Sequence, residues 1–225
     1  MNTLLKSLGA GIAGIMISTA GAHAALVSTN SSLSDQGVAA SIIAAPADVS
    51  DDAATNEAIQ AFDEVQMHVL AADLAVDGGT ISAGTVISSH MIFLNSDGPG
   101  LIEHGAGGGG SAATFTFDGM ILGVMSDSGG TLEAASSSFL GAAGTIYPGA
   151  FTARGMEGDP LDGLINNDYY SFLTDTITVG MRVTEPGDWI RVITASEIPV
   201  PAALPLLLSG IAGLGFASRR RREAK

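Results

Sequence analysis

Carboxylates are the side chains of this sequence best placed to do chemistry. Asp159, Asp162, Asn166 and Asp168 fall within one short, glycine-containing stretch, and closely spaced carboxylate and amide oxygens are the ligands calcium prefers. Their spacing fits no EF-hand loop, so they are candidates for a structural calcium ion only, with a solvated acidic turn as the alternative. Asp63 and Glu64 are the pair to test for glycoside hydrolysis, which sets two carboxyls about 5–10 Å apart across a sugar. Adjacent residues on a strand point to opposite faces. One Trp and three Tyr also leave little aromatic surface for a sugar platform.

Other catalytic patterns fare no better. His68, His90 and His104 form no His-x-x-x-His pair and the chain has no cysteine, so a zinc centre is not expected, and surface or strand-edge positions are. The glycines between Gly105 and Gly110 are followed by Ser111 and Ala112, without the lysine that a phosphate-binding loop requires. No Gly-x-Ser-x-Gly elbow occurs. No catalytic, cofactor-binding or firm metal-binding residue is therefore expected, and the chain reads as a non-enzyme.

The elements that would carry these residues are short strands. Val65 to Val69 alternates apolar and polar residues with period two. Further apolar runs at Val38–Ala45, Leu74–Val76, Thr85–Ser88, His90–Leu94, Ala113–Phe117, Met120–Met125, Thr174–Val179, Met181–Thr184 and Trp189–Thr194 predict strands. Turn residues separate them, among them Asp77-Gly78-Gly79, Asp118-Gly119, Ser128-Gly129-Gly130 and Pro186-Gly187-Asp188. A short helix is expected only near Ser136–Leu140. Thirty glycines disfavour a helical bundle, since each costs a helix about 1 kcal/mol relative to alanine. The fold class is mainly β, of β-sandwich or jelly-roll type, built on residues 58–197. Residues 25–57 read as a flexible lead-in rich in Ala, Ser and Asp, with one strand.

Charge is divided sharply along the chain. The formal net charge is −14, but between residues 25 and 197 the only basic residues besides histidine are Arg154, Arg182 and Arg191, against 22 carboxylates, a formal −19. Such a surface repels nucleic-acid phosphates and anionic lipid, so nucleic acid is excluded as a partner. With no cysteine, disulfides cannot staple the domain.

The two ends carry addresses. Lys6, the apolar run Leu8–Ala20 and the small-x-small site Ala22-His23-Ala24 have the form of a secretory signal peptide, residues 1–24, cleaved between Ala24 and Ala25. At the other end, Pro199-Val200-Pro201 opens into the apolar stretch Ala202–Ala217, followed by Arg219, Arg220, Arg221 and Arg222. That stretch lies near the lower limit for a transmembrane helix, and the arginines should stay on the cytoplasmic side.

This order of a Pro-x-Pro box, a Leu-Leu-Leu-Ser-Gly-Ile-Ala-Gly-Leu-Gly helix and a terminal arginine run resembles the PEP-CTERM sorting signal, in its Val-Pro-Leu-Pro-Ala variant. Val200 stands where the founding motif has Glu, and Ile198 replaces the common Val. The stretches Phe117–Val124, Phe139–Thr145 and Pro186–Thr194 are similar to exported β domains attached to such signals. The resemblance implies sorting of residues 198–225 by an exosortase in a Gram-negative bacterium that makes extracellular polysaccharide. On this reading the protein is exported by the Sec machinery and held in the inner membrane with its domain in the periplasm. After processing it becomes a non-enzymatic protein of the cell surface or extracellular matrix, with extracellular polysaccharide as the expected partner. A carbohydrate- or calcium-binding adhesion module is the alternative, and a secreted hydrolase a weaker one.

Overall fold

A computed structural model describes residues 25–50, 53, 55–96, 98–157 and 168–196. The expected signal peptide and the expected C-terminal membrane helix lie outside the described residues. Among those described, no helix is long and apolar enough to cross a membrane.

The order of elements is β1 (Leu26–Thr29), β2 (Ser41–Ile42), β3 (Gln60–Asp63), β4 (His68–Val69), β5 (Leu74–Val76), β6 (Gly79–Ile81), β7 (Val86–Leu94), β8 (Ile102–His104), β9 (Ala113–Phe117), β10 (Ile121–Met125), α1 (Thr131–Leu140), β11 (Tyr169–Leu173), β12 (Thr176–Val183) and β13 (Asp188–Ala195). The protein is thus mainly β, as expected. One sheet runs β1-β9-β12-β11, with β8 also on β12; a second runs β10-β13-β7-β3-β2, with β4 on β7; β5 and β6 form a hairpin of their own. Among the described residues the strands pair antiparallel, except β2 with β3, which run parallel.

Strand alternation explains how the second sheet is buried on both faces. Ile190 and Val192 of β13, with Ile92 and Leu94 of β7, share one apolar cluster with Phe115, Phe117, Ile177, Val179 and Met181 of the first sheet. Their neighbours of opposite parity, Trp189, Met91, Phe93 and Phe62, build a separate cluster with Val49. Trp189 is the anchor there: it is fully buried and its Nε1–H donates to the Val49 carbonyl at 2.7 Å. This double burial is the reason β7 and β13 read as near-continuous apolar runs.

Several elements differ from expectation, each for a local reason. Thr85–Ser88 and His90–Leu94 merge into β7, because the side chains at the apparent polar break are satisfied internally: Ser89 Oγ donates to Glu64 at 2.6 Å and His90 bonds Asp63 at 2.7 Å. Thr174–Val179 and Met181–Thr184 likewise merge into β12 across Gly180, where a Cβ would lie 2.5 Å from the Tyr169 ring. The Val65–Val69 strand shrinks to His68–Val69, since Met67 takes a left-handed φ of 55° and its N–H donates to Ser88 Oγ. Residues 25–57 are tied into the domain: β1 pairs with β9 and β2 with β3. The helix begins at Thr131 rather than near Ser136, because the Asp127 carboxylate accepts from the N–H groups of Thr131 and Leu132 at 2.7 and 3.0 Å and caps its first turn.

Candidate functional site

Two clusters of buried charge have opposite balances. The first is neutral. Arg191, on the outer face of β13, grips Glu64 with both arms, Nε–H to Oε2 at 2.7 Å and Nη2–H to Oε1 at 2.8 Å. Its Nη1–H donates to the Glu133 carbonyl and to Ser136 Oγ, and the same guanidinium lies 2.9 Å from the Glu133 carboxylate. Arg154 pairs with the other Glu133 oxygen and donates to the Gly130 carbonyl at 3.0 Å. A Cβ on Gly130 would sit 2.3 Å from that guanidinium, so the approach requires glycine here. Burial, and then the nearby Arg191, bring Arg154 down to about 10, so it stays charged at neutral pH. Two arginines thus balance two carboxylates, each cation also over a ring, Arg154 over Trp189 and Arg191 over Tyr147.

Arg191 does not pair with Asp188, its neighbour in sequence. Asp188 is three residues away on the same strand, an odd separation that puts the two side chains on opposite faces.

The second cluster is all acid. Asp188 opens β13 on the inner face; Asp168 immediately precedes β11 of the other sheet; Glu157 follows Met156. Their carboxylate oxygens lie within 4.8 Å of one another. Local structure places each. Gly187 lets the chain enter β13 where a Cβ would meet the Leu94 carbonyl at 2.4 Å. The Trp189 N–H donates to the Arg154 carbonyl at 3.1 Å, holding the segment that leads to Glu157 against β13. Asp168 Oδ1 accepts from the Arg182 N–H at 2.5 Å. Asp168 and Asp188 are buried and Glu157 is exposed.

The electrostatics follow from that geometry. Burial raises Asp188 well above the usual carboxylate range, with the neighbouring Asp168 and Glu157 adding to it. Burial also raises Asp168, and burial with Asp168 lifts Glu157 to about 7. At an effective dielectric of about 20, two unit charges at this spacing repel by roughly 3 kcal/mol or more. Among the described residues no arginine answers them: Arg154 and Arg191 serve the neutral cluster, and the Arg182 side chain bonds Glu103 at 2.9 Å.

Of the calcium candidates, Asp168 is brought to this cluster, while Asp159, Asp162 and Asn166 lie outside the described residues. Glu157 and Asp188 were not singled out from sequence. Glu157 stands eleven residues before Asp168, but nothing in the spacing signals Asp188, which arrives from the other sheet. The signal-site residues Ala22 and Ala24, and the sorting residues Pro199, Val200, Pro201, Ala202, Arg219, Arg220, Arg221 and Arg222, lie outside the described residues. Ala25 is described, and its N–H donates to Asp118 Oδ1 at 2.5 Å.

The histidines correct another expectation. His90 and His104 are fully buried rather than at the surface. His90 links Asp63, 2.7 Å from its Nδ1, to Thr194 Oγ1, 3.0 Å from its Nε2. An Asp-His-Thr line has the order of a nucleophile triad, but Thr194 and His90 have no exposed surface, so it works as a strut between strands. His104 accepts the Ile59 N–H at Nδ1, 3.1 Å away, and meets Ser32 Oγ at Nε2. Asp63 and Glu64, as their adjacency requires, serve opposite faces: one bonds His90 and the other Arg191. The glycine-rich segment after β8 leads into β9, a strand, and not into a helix.

Comparison with protein-family models, with curated proteins and with solved structures finds no match to the chain.

Proposed function

We propose that this protein is exported through the Sec machinery and acts, without catalysis, at the cell surface or in the extracellular matrix. On this reading residues 198–225 hold it in the inner membrane until an exosortase processes that segment. The domain between is a β-sandwich: its two large sheets share one apolar cluster. The observation that carries the reading is the placement of paired strands between the two address sequences. β1 opens at Leu26, directly after the small-x-small site, and β13 ends at Ala195, four residues before Pro199. The burial of Thr194 and His90 weighs against a hydrolase built on the Asp63–His90–Thr194 line. The carboxylate cluster favours a cation-binding form of the surface role over a carbohydrate-binding one.

Surface labelling tests the proposal. An antibody against the domain should decorate intact producing cells and their matrix. In a strain lacking exosortase the protein should stay with the inner membrane. Equal labelling of both strains contradicts exosortase sorting.

A further inference from the structure

Folding has left one group of charges without an answer. Glu157, Asp168 and Asp188 bring three carboxylates within 4.8 Å of one another. Asp188 Oδ2 is fully enclosed and has no hydrogen-bond partner, on a side chain only 2% exposed. A buried polar atom is ordinarily paired, and a buried charge is paired or coordinates a metal. Among the described residues no lysine or arginine is left to supply the pairing, because they include no lysine and their three arginines are engaged with Glu64, Glu133 and Glu103.

We propose that Glu157, Asp168 and Asp188 hold one calcium ion that clips the edge of one sheet to the other. Oxygen-only donors select a hard cation. Two ligands on one ion stand at most two bond lengths apart, about 4.6–5.2 Å for calcium but only about 4.2 Å for magnesium. Calcium therefore spans the whole observed spread with little rearrangement. Exposed Glu157 gives the ion a way in from solvent, while buried Asp168 and Asp188 aim at it from within. Asp168 is already oriented by the Arg182 N–H. The ion would sit at the end of the apolar cluster shared by the two sheets, since Asp188 lies on the same face of β13 as Ile190 and Val192. The proposal does not depend on how the chain is sorted, which surface labelling reads separately.

The test uses the purified full chain after treatment with chelator. Melting is followed against calcium and against magnesium, up to about 10 mM, roughly tenfold above the dissociation constants of weak extracellular calcium modules. Calcium at 100-fold excess over its dissociation constant should raise Tm by about 5–10 °C, and magnesium should do much less. Terbium, a luminescent stand-in for calcium, should emit under tryptophan excitation, since Trp189, the chain's single Trp, follows Asp188 directly. Calcium should quench that emission by displacement. D188N should melt at or above the metal-free wild type, because it removes repulsion, and should lose both the calcium shift and the terbium signal. E157Q changes an exposed side chain that folding does not need, and should weaken calcium binding by roughly tenfold.

The proposal is overturned if calcium moves neither Tm nor terbium emission. A magnesium shift equal to that of calcium overturns the calcium assignment. Metal-free wild type that loses stability as pH rises through neutrality, with calcium restoring none of it, shows that protons alone neutralise the cluster, and also overturns it. So does a D188N protein that keeps the full calcium shift.

Discussion

Replacing Arg191 with methionine takes one guanidinium out of a site with no exposed surface while filling much of its volume. The structure says what is left behind. Glu64 loses both arms of its grip, at 2.7 and 2.8 Å, and keeps the Ser89 hydroxyl at 2.6 Å. Glu133 loses one contact at 2.9 Å but retains Arg154. The result is one uncompensated carboxylate with 0% side-chain exposure, a condition that costs about 3–5 kcal/mol. For a domain of this size that lowers Tm by about 6–20 °C. Urea unfolding with an unchanged slope should report the same loss. The double variant R191M/E64Q removes both charges and should recover most of it, because a buried pair contributes little beyond a neutral replacement. An R191M protein within about 1 kcal/mol of wild type, or a double variant no better than the single, would refute this description of the network.

Acid should act on His104. Burial lowers it from 6.5 to about 4, with Asp35 opposing, and protonating Nδ1 would set two donors, that ring nitrogen and the Ile59 N–H, face to face. Because the folded value lies below the unfolded one, the neutral ring's contribution is complete above pH 6.5 and is lost as pH falls toward 4, about 3 kcal/mol in all; denaturant titrations of wild type and H104Q across that window should differ by this slope. Signal cleavage should also leave a mark at Asp118. If Ala25 becomes the mature N-terminus, its ammonium replaces the amide that now donates to Asp118 Oδ1, so D118N should destabilise the cleaved chain by up to about 1 kcal/mol and the uncleaved precursor less, as read from their Tm values.

The sequence was most readable where a strand's ends were marked by turn residues. Ala113–Phe117, bounded by Asp118-Gly119, and Leu74–Val76, bounded by Asp77-Gly78, are strands with the expected limits. It misled where tertiary partners satisfied polar groups inside a strand, as with Ser88, Ser89 and His90 in β7, since pattern alone reads a polar break as a turn. β1, β3, β6, β8 and β11 were not expected at all. Each is three to five residues long; β1, β3 and β8 gain their stability from long-range pairing, β1 with β9 for example, that local preference does not encode, while β6 and β11 are arms of tight hairpins. The acidic site was half visible: Asp168 belonged to an oxygen-rich stretch, but its partner Asp188 comes from the opposite sheet, and only the fold brings them together. Which carboxylates the buried arginines meet was not legible, because strand alternation turns Arg191 away from nearby Asp188 and toward Glu64 and Glu133.

The intact mass of the mature protein is the most direct test of export and sorting. In cells that contain exosortase the account predicts a chain beginning at Ala25 and lacking Arg219, Arg220, Arg221 and Arg222; in cells without exosortase the same N-terminus should appear with the arginines retained. A C-terminus ending at Lys225 in both strains would contradict it.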